Sequence, residues 1–70
     1  SGGFDGLRNL KKVILKSKKL LKINGKLILE IGHSQKDMCS KILNENGYYI
    51  NKISKDLSGK DRCIISTKLQ

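Results

Sequence analysis

The run Lys26-Leu27-Ile28-Leu29-Glu30-Ile31-Gly32 is apolar at odd and even positions alike. Alternation would mark a strand with one wet face. The continuous apolar character instead predicts a strand from Lys26 to Ile31 covered on both faces, as in a parallel or mixed sheet, with Gly32 ending it. Immediately upstream stands Asn24-Gly25, two residues that accept the left-handed conformation and stop a preceding helix. That helix is predicted from about Leu7 to Leu21. Leu7, Leu10, Ile14 and Leu21 recur at spacings of three, four and seven, and Val13 and Leu20 widen the stripe. Asp5 reads as its N-cap, and Lys18, Lys19 and Lys22 gather near its end, where cations complement the helix dipole.

Downstream of Gly32, Ser34 followed by Asp37 resembles a capping box with Asp in place of Glu. Met38, Ile42 and Leu43 then mark a second helix to about Asn46, with Gly47 just past its end. Tyr48 to Lys55 and Arg62 to Lys68 are rich in β-branched and aromatic residues and flank Leu57-Ser58-Gly59-Lys60. They predict a β-hairpin whose loop is longer than two residues. The order is helix, strand, helix, strand, strand, an α/β unit over residues 1–70 with no repeat and no internal boundary. A strand, a helix and a second strand of one sheet form a right-handed crossover, and the final strand returns antiparallel.

Seventy residues suffice for one small domain with a thin core, since a fold of this size buries only roughly 60% of the surface its unfolded chain exposes. The apolar runs are far too short to span a bilayer. Ser1-Gly2-Gly3-Phe4-Asp5 offers neither the basic nor the apolar region of a secretory signal. Cys39 and Cys63 can build no disulfide scaffold or four-ligand metal site, read most simply as small apolar groups, and fit a reducing, cytoplasmic setting. Fifteen Lys and Arg against six Asp and Glu give a net charge of +9, which favours anionic partners at long range. However, Lys, Ile and Asn together fill 27 positions, the mark of AT-rich coding, the lysines are scattered, and only three aromatics are available for stacking on bases. A solvated lysine surface is favoured over a nucleic-acid site. A small basic RNA-binding or interaction module is the alternative reading.

Chemistry-bearing residues are few. His33 is the only histidine, and no serine or cysteine sits in the neighbourhood of an activated nucleophile, so neither a metal site nor a catalytic triad is expected. Gly2-Gly3-Phe4-Asp5-Gly6 lacks a preceding strand and reads as a turn, not a dinucleotide fingerprint. Glu30 stands out because a carboxylate at the carboxyl end of a strand lies where open α/β sheets place their ligands. The bland reading pairs it with a lysine or with N–H groups at the next helix start, because an apolar strand tolerates no bare charge. Gln35 can hydrogen-bond a substrate amide or simply be solvated in the first turn of the helix. Asp56, Asp61 and Arg62 bracket the hairpin loop, where a structural clasp is favoured over catalysis.

Four motifs in one register carry more than each does alone. They are Gly2-Gly3-Phe4-Asp5-Gly6-Leu7, then Leu29-Glu30-Ile31-Gly32 with Gln35 three residues on, then Gly47-Tyr48, then Asp56-Leu57-Ser58-Gly59-Lys60-Asp61-Arg62. In order and spacing they resemble the C-terminal part of the bacterial HemK-type release-factor glutamine methyltransferases. The resemblance implies the last third of a class I methyltransferase domain. Such a domain is a Rossmann-like, doubly wound sheet that binds S-adenosylmethionine and methylates the amide nitrogen of the Gly-Gly-Gln glutamine in peptide-chain release factors. It further implies a mixed three-stranded portion of that sheet, with the last strand antiparallel and in the middle and two helices on one face.

The family's Gly-rich cofactor loop and its Asn-Pro-Pro-Tyr motif have no counterpart here. Asn24-Gly25 replaces a common Gly-Gly, and Ile23 a common proline. The segment is therefore expected to hold no catalytic and no cofactor-binding residue, to bind no S-adenosylmethionine, and to be inactive alone. By the same resemblance Gly3 and Asp5 lie near the substrate entrance, while Glu30, Gly32 and Gln35 form the far wall of the pocket. A sheet deprived of apolar cover on one face and along one edge is expected to be marginally stable or to self-associate.

Overall fold

The computed structural model describes residues 2–32 and 34–70, the side chains of residues 2–7 and of Asp61 excepted. Along the chain run α1 (Gly2–Leu20), β1 (Lys26–Glu30), α2 (Lys36–Glu45), β2 (Tyr48–Lys55) and β3 (Asp61–Lys68). Element types and order follow the sequence pattern, while the ends carry several corrections.

Helix α1 starts at Gly2, so Asp5 lies inside its first turn and is not the cap ahead of it. The Gly-rich start is helical, not a free turn. Glycine lowers helix propensity by about 1 kcal/mol without forbidding it, and the apolar stripe further along carries the helix. At the other end the Lys68 ammonium donates to the carbonyls of Lys18 and Leu21. Carbonyls orphaned at the helix end are thus met by a lysine from the far end of the chain. Asn24 then turns left-handed (φ 73°). Gly25 is needed for a different reason: a Cβ there would stand 2.8 Å from the Lys22 carbonyl oxygen.

Strand β3 is central, in the order β1-β3-β2. It pairs antiparallel with β1, Leu29 opposite Ile64, and antiparallel with β2, Ile53 opposite Ile64. The expectation of a mixed sheet needs correction, because the described strands share no parallel ladder. β1 and β2 run parallel, but β3 separates them and takes the hydrogen bonds of both.

Both helices press on one face of this sheet. The core joins Leu10 and Ile14 of α1 and Cys39, Ile42 and Leu43 of α2 to Leu29, Ile31, Tyr48 and Ile64. Along β1, Leu27 and Leu29 face this core, while Lys26, Ile28 and Glu30 face the other way and are exposed. Thus β1 is covered on one face only among the described residues, contrary to the reading of its continuous apolar run. Ile28 and Tyr49 remain 63% and 58% exposed on the open side. The capping box is also absent. Ser34 is left-handed (φ 64°), and Gln35 occupies the N-cap position of α2 without a side-chain cap bond. Gly47 follows α2 at φ +79°, the conformation that suits glycine at a helix end.

Candidate functional site

The carboxyl end of β1 and the turn into α2 gather three of the residues singled out by sequence. Ile31 donates its N–H to the Arg62 carbonyl at 2.8 Å, which fixes the last residue before the turn. The Gly32 N–H donates to Gln35 Oε1 at 2.7 Å, and the Gln35 N–H donates back to the Gly32 carbonyl at 3.2 Å. The two residues close a small ring. A Cβ at Gly32 would lie 2.9 Å from Gln35 Oε1, so the glutamine amide fills the space that glycine leaves. The Gln35 carbonyl then accepts from the Cys39 N–H at 2.9 Å, which ties the ring to the first turn of α2.

Glu30 is not part of this ring. It points to the open face, opposite Cys63 in the ladder, and is exposed. Among the described residues it has neither the lysine partner nor the helix-start N–H groups that the bland reading required, and its exposure removes the need for them. The structure therefore brings Gly32 and Gln35 together and leaves Glu30 on the far side of the strand. The surroundings of Gly3, the side chain of Asp5 and the whole of His33 lie outside the described residues.

A second cluster closes the β2–β3 loop. Asp56 Oδ1 accepts from the Ser58 N–H at 2.9 Å, the Ser58 hydroxyl at 2.8 Å and the Lys60 N–H at 3.0 Å. Arg62 Nε donates to Oδ2 at 2.9 Å. The Arg62 guanidinium foremost, then the Lys60 N–H and the Ser58 hydroxyl, hold the Asp56 carboxyl well below the usual carboxylate range. Every one of these bonds closes the loop on itself. Asp61, whose side chain lies outside the described residues, belongs to the same sequence motif.

Sequence reasoning missed two features. Ser17, buried in α1, donates to the Ile14 carbonyl at 2.7 Å and shares a short hydrogen bond with the buried Tyr48 hydroxyl. The serine proton is already committed, so Tyr48 is the donor. A serine in the apolar stripe, three residues after Ile14, was the available signal. Between α1 and α2 also runs a groove of about 540 Å³ with Met38 and Ile42 beside Lys11, Lys41 and Glu45. Burial pushes the Cys39 thiol up to about 11, so it stays protonated at neutral pH and acts as a core group. Among the described residues no cluster of His, Cys, Asp or Glu could hold a metal ion, and no helix is long and apolar enough to cross a membrane.

Comparison with known proteins supplies what the geometry lacks. No family profile matches the chain, and no solved structure matches it. A release factor glutamine methyltransferase of Clostridium botulinum is 43% identical over 67 residues, which cover 96% of this chain. Another, from Thermodesulfovibrio yellowstonii, is 35% identical over 68 residues, or 97% of the chain. Over nearly all of its length the chain is homologous to a small part of these release factor glutamine methyltransferases. A bifunctional methyltransferase of Rickettsia bellii is also similar, 44% identical over 66 residues. The seventy-residue chain spans only 24% of the Clostridium and Thermodesulfovibrio proteins and 12% of the Rickettsia protein.

Proposed function

We propose that these seventy residues are the C-terminal third of the catalytic domain of an S-adenosylmethionine-dependent protein-glutamine N5-methyltransferase. Its substrate is the Gly-Gly-Gln glutamine of peptide-chain release factors, and it works in the cytoplasm. The observation that carries this reading is the 43% identity to the Clostridium release factor glutamine methyltransferase across 96% of the chain. The central position of β3 and the placing of both helices on one face support it, since they fit the sheet portion that the sequence resemblance implies.

S-adenosylmethionine, when bound, supplies an electrophilic methyl group to the amide nitrogen. The residues of this segment do not fit that cofactor. At its one strand-to-helix turn the Gly32 N–H is already satisfied by Gln35, whose amide also fills the adjoining space. Cofactor binding and the groups that accept the amide hydrogens therefore belong to parts of the enzyme outside this segment, and the chain alone is inactive. Its own residues shape the pocket's far wall. Gln35 locks the Gly32 turn, and Glu30, with Gly3 and Asp5, borders the substrate side.

Two measurements test the proposal. Calorimetric titration of the chain with S-adenosylmethionine, and incubation with a release factor and labelled cofactor, should show no heat of binding and no methylation; micromolar binding or label transfer by the chain alone overturns the inactivity. Grafting these residues in place of the matching segment of the Clostridium enzyme should preserve methylation of the release factor within about tenfold. A folded but inactive chimaera overturns the family role.

A further inference from the structure

We infer that the outward face of α1 is a docking surface for the phosphate backbone of double-helical RNA. Residues 8–22 hold one arginine and six lysines and none of the chain's six acids. Along the sequence these cations look spread out, but folding sorts them. Leu10, Ile14 and Ser17 are buried, so the helical repeat turns Lys12, Lys16 and Lys19 to the opposite side, where all three are exposed. Lys11 stands next to them, at the groove shared with α2. Among the described residues none of these four lysines forms an ion pair. Helix α2 exposes Lys36 and Lys41 against Asp37 and Glu45 and adds no net charge, so the positive field is centred on α1.

This face looks directly away from the sheet. α2 lies on the Lys11 flank of α1, and the helical repeat puts Val13 and Leu20 on the other flank. Elements that carry the sheet past β1 would lie along the Val13 and Leu20 flank, beside the lysine face and not over it. From Lys12 to Lys19 the helix rises about 10 Å, a length over which one strand of a duplex presents on the order of three phosphates. A shallow depression of about 400 Å³ runs among Lys12, Leu15, Lys16 and Lys19. The ammonium groups therefore rim a concave seat.

Composition selects the occupant. A bilayer needs an apolar face to insert, and α1 buries its own in the core. Protein interfaces are depleted in lysine and rely on aromatics and arginine, whereas residues 8–22 contain no aromatic. The same lack removes the stacking platform that single-stranded nucleic acid requires. What is left is a row of point charges suited to phosphates, which position a duplex without reading its sequence. Release factors act where peptide chains are made, which selects RNA over DNA; this choice alone rests on the enzymatic reading.

Fluorescence anisotropy of a labelled RNA duplex of about 16 base pairs, titrated with the chain, reads the binding. The Kd should fall in the range of about 1–100 μM at about 0.15 M salt, with a log–log salt slope of about −3. K12Q/K16Q/K19Q should weaken binding at least about tenfold and flatten the slope by about 2–3. K26Q/K52Q/K60Q removes the same charge from exposed positions elsewhere and should cost about threefold or less. Both variants should keep the parent's far-UV spectrum. The chimaera carrying this segment should bind the duplex with the same dependence on Lys12, Lys16 and Lys19, and DNA of the same sequence should bind no more tightly. Methylation by that chimaera tests the enzymatic reading separately. No binding at about 0.05 M salt, equal losses in the two triple variants, a chimaera indifferent to the α1 lysines, or a preference for DNA overturns the inference.

Discussion

The turn after β1 is held by one hydrogen bond between neighbours, Gly32 N–H to Gln35 Oε1 at 2.7 Å. A half-buried bond of this type contributes about 1 kcal/mol net. Q35A should therefore lower unfolding free energy by about that amount. G32A should cost about the same, because its new methyl displaces the flexible glutamine end and not the backbone. In the double variant, read by urea denaturation, the two losses should fall well short of adding, since both remove one bond. Asp56 differs in kind, because its contribution is charged. Its carboxyl is held below the ordinary carboxylate range in the folded chain, so the contribution is complete above the unfolded pKa of about 3.9 and is lost as the pH falls from there toward the folded value. D56N should thus melt below the parent at pH 7, and the gap in Tm should close in acid.

At the scale of the elements, the buried Ser17–Tyr48 contact fastens α1 to β2. Removing the serine hydroxyl strands a buried phenol and should cost about 1–3 kcal/mol, whereas Y48F leaves Ser17 its bond to Ile14 and should cost about 1 kcal/mol. S17A/Y48F should be less destabilised than the sum of the two, measured as a double-mutant cycle. This fastening was hidden from the sequence because a hydroxyl's partner is set by tertiary placement. The Lys68 ammonium at the end of α1 was hidden likewise, where local lysines had been expected to complement the helix. Elements themselves were legible, since Leu10 and Ile14 do face the core at helical spacing and Gly47 does take the left-handed turn. The doubled apolar run of β1 misled, for Ile28 faces no cover within the described residues. At the site, the residue types Gly32 and Gln35 were legible but their mutual bond was not, and Glu30 has no partner among the described residues.

Across the whole molecule, both helices and the three strands share one apolar cluster, and its central member is Ile64, fully buried in the middle strand. The place of β3 between β1 and β2 could not be read from periodicity, which is blind to strand order; it came only from the family resemblance. That placement decides where damage is severe. A chain of seventy residues has a total stability of about 4–10 kcal/mol, and truncating a buried Ile to Ala costs about 2–5 kcal/mol through lost transfer energy and the cavity left behind. I64A should therefore remove a large share of that stability, about 2–5 kcal/mol. I28A, on the open face of the neighbouring strand, should stay within about 0.5 kcal/mol of the parent when measured dilute enough to be monomeric. Far-UV circular dichroism against urea reads both. If the two substitutions cost the same in the monomer, the open face is not open, and the one-sided core described for this sheet is wrong.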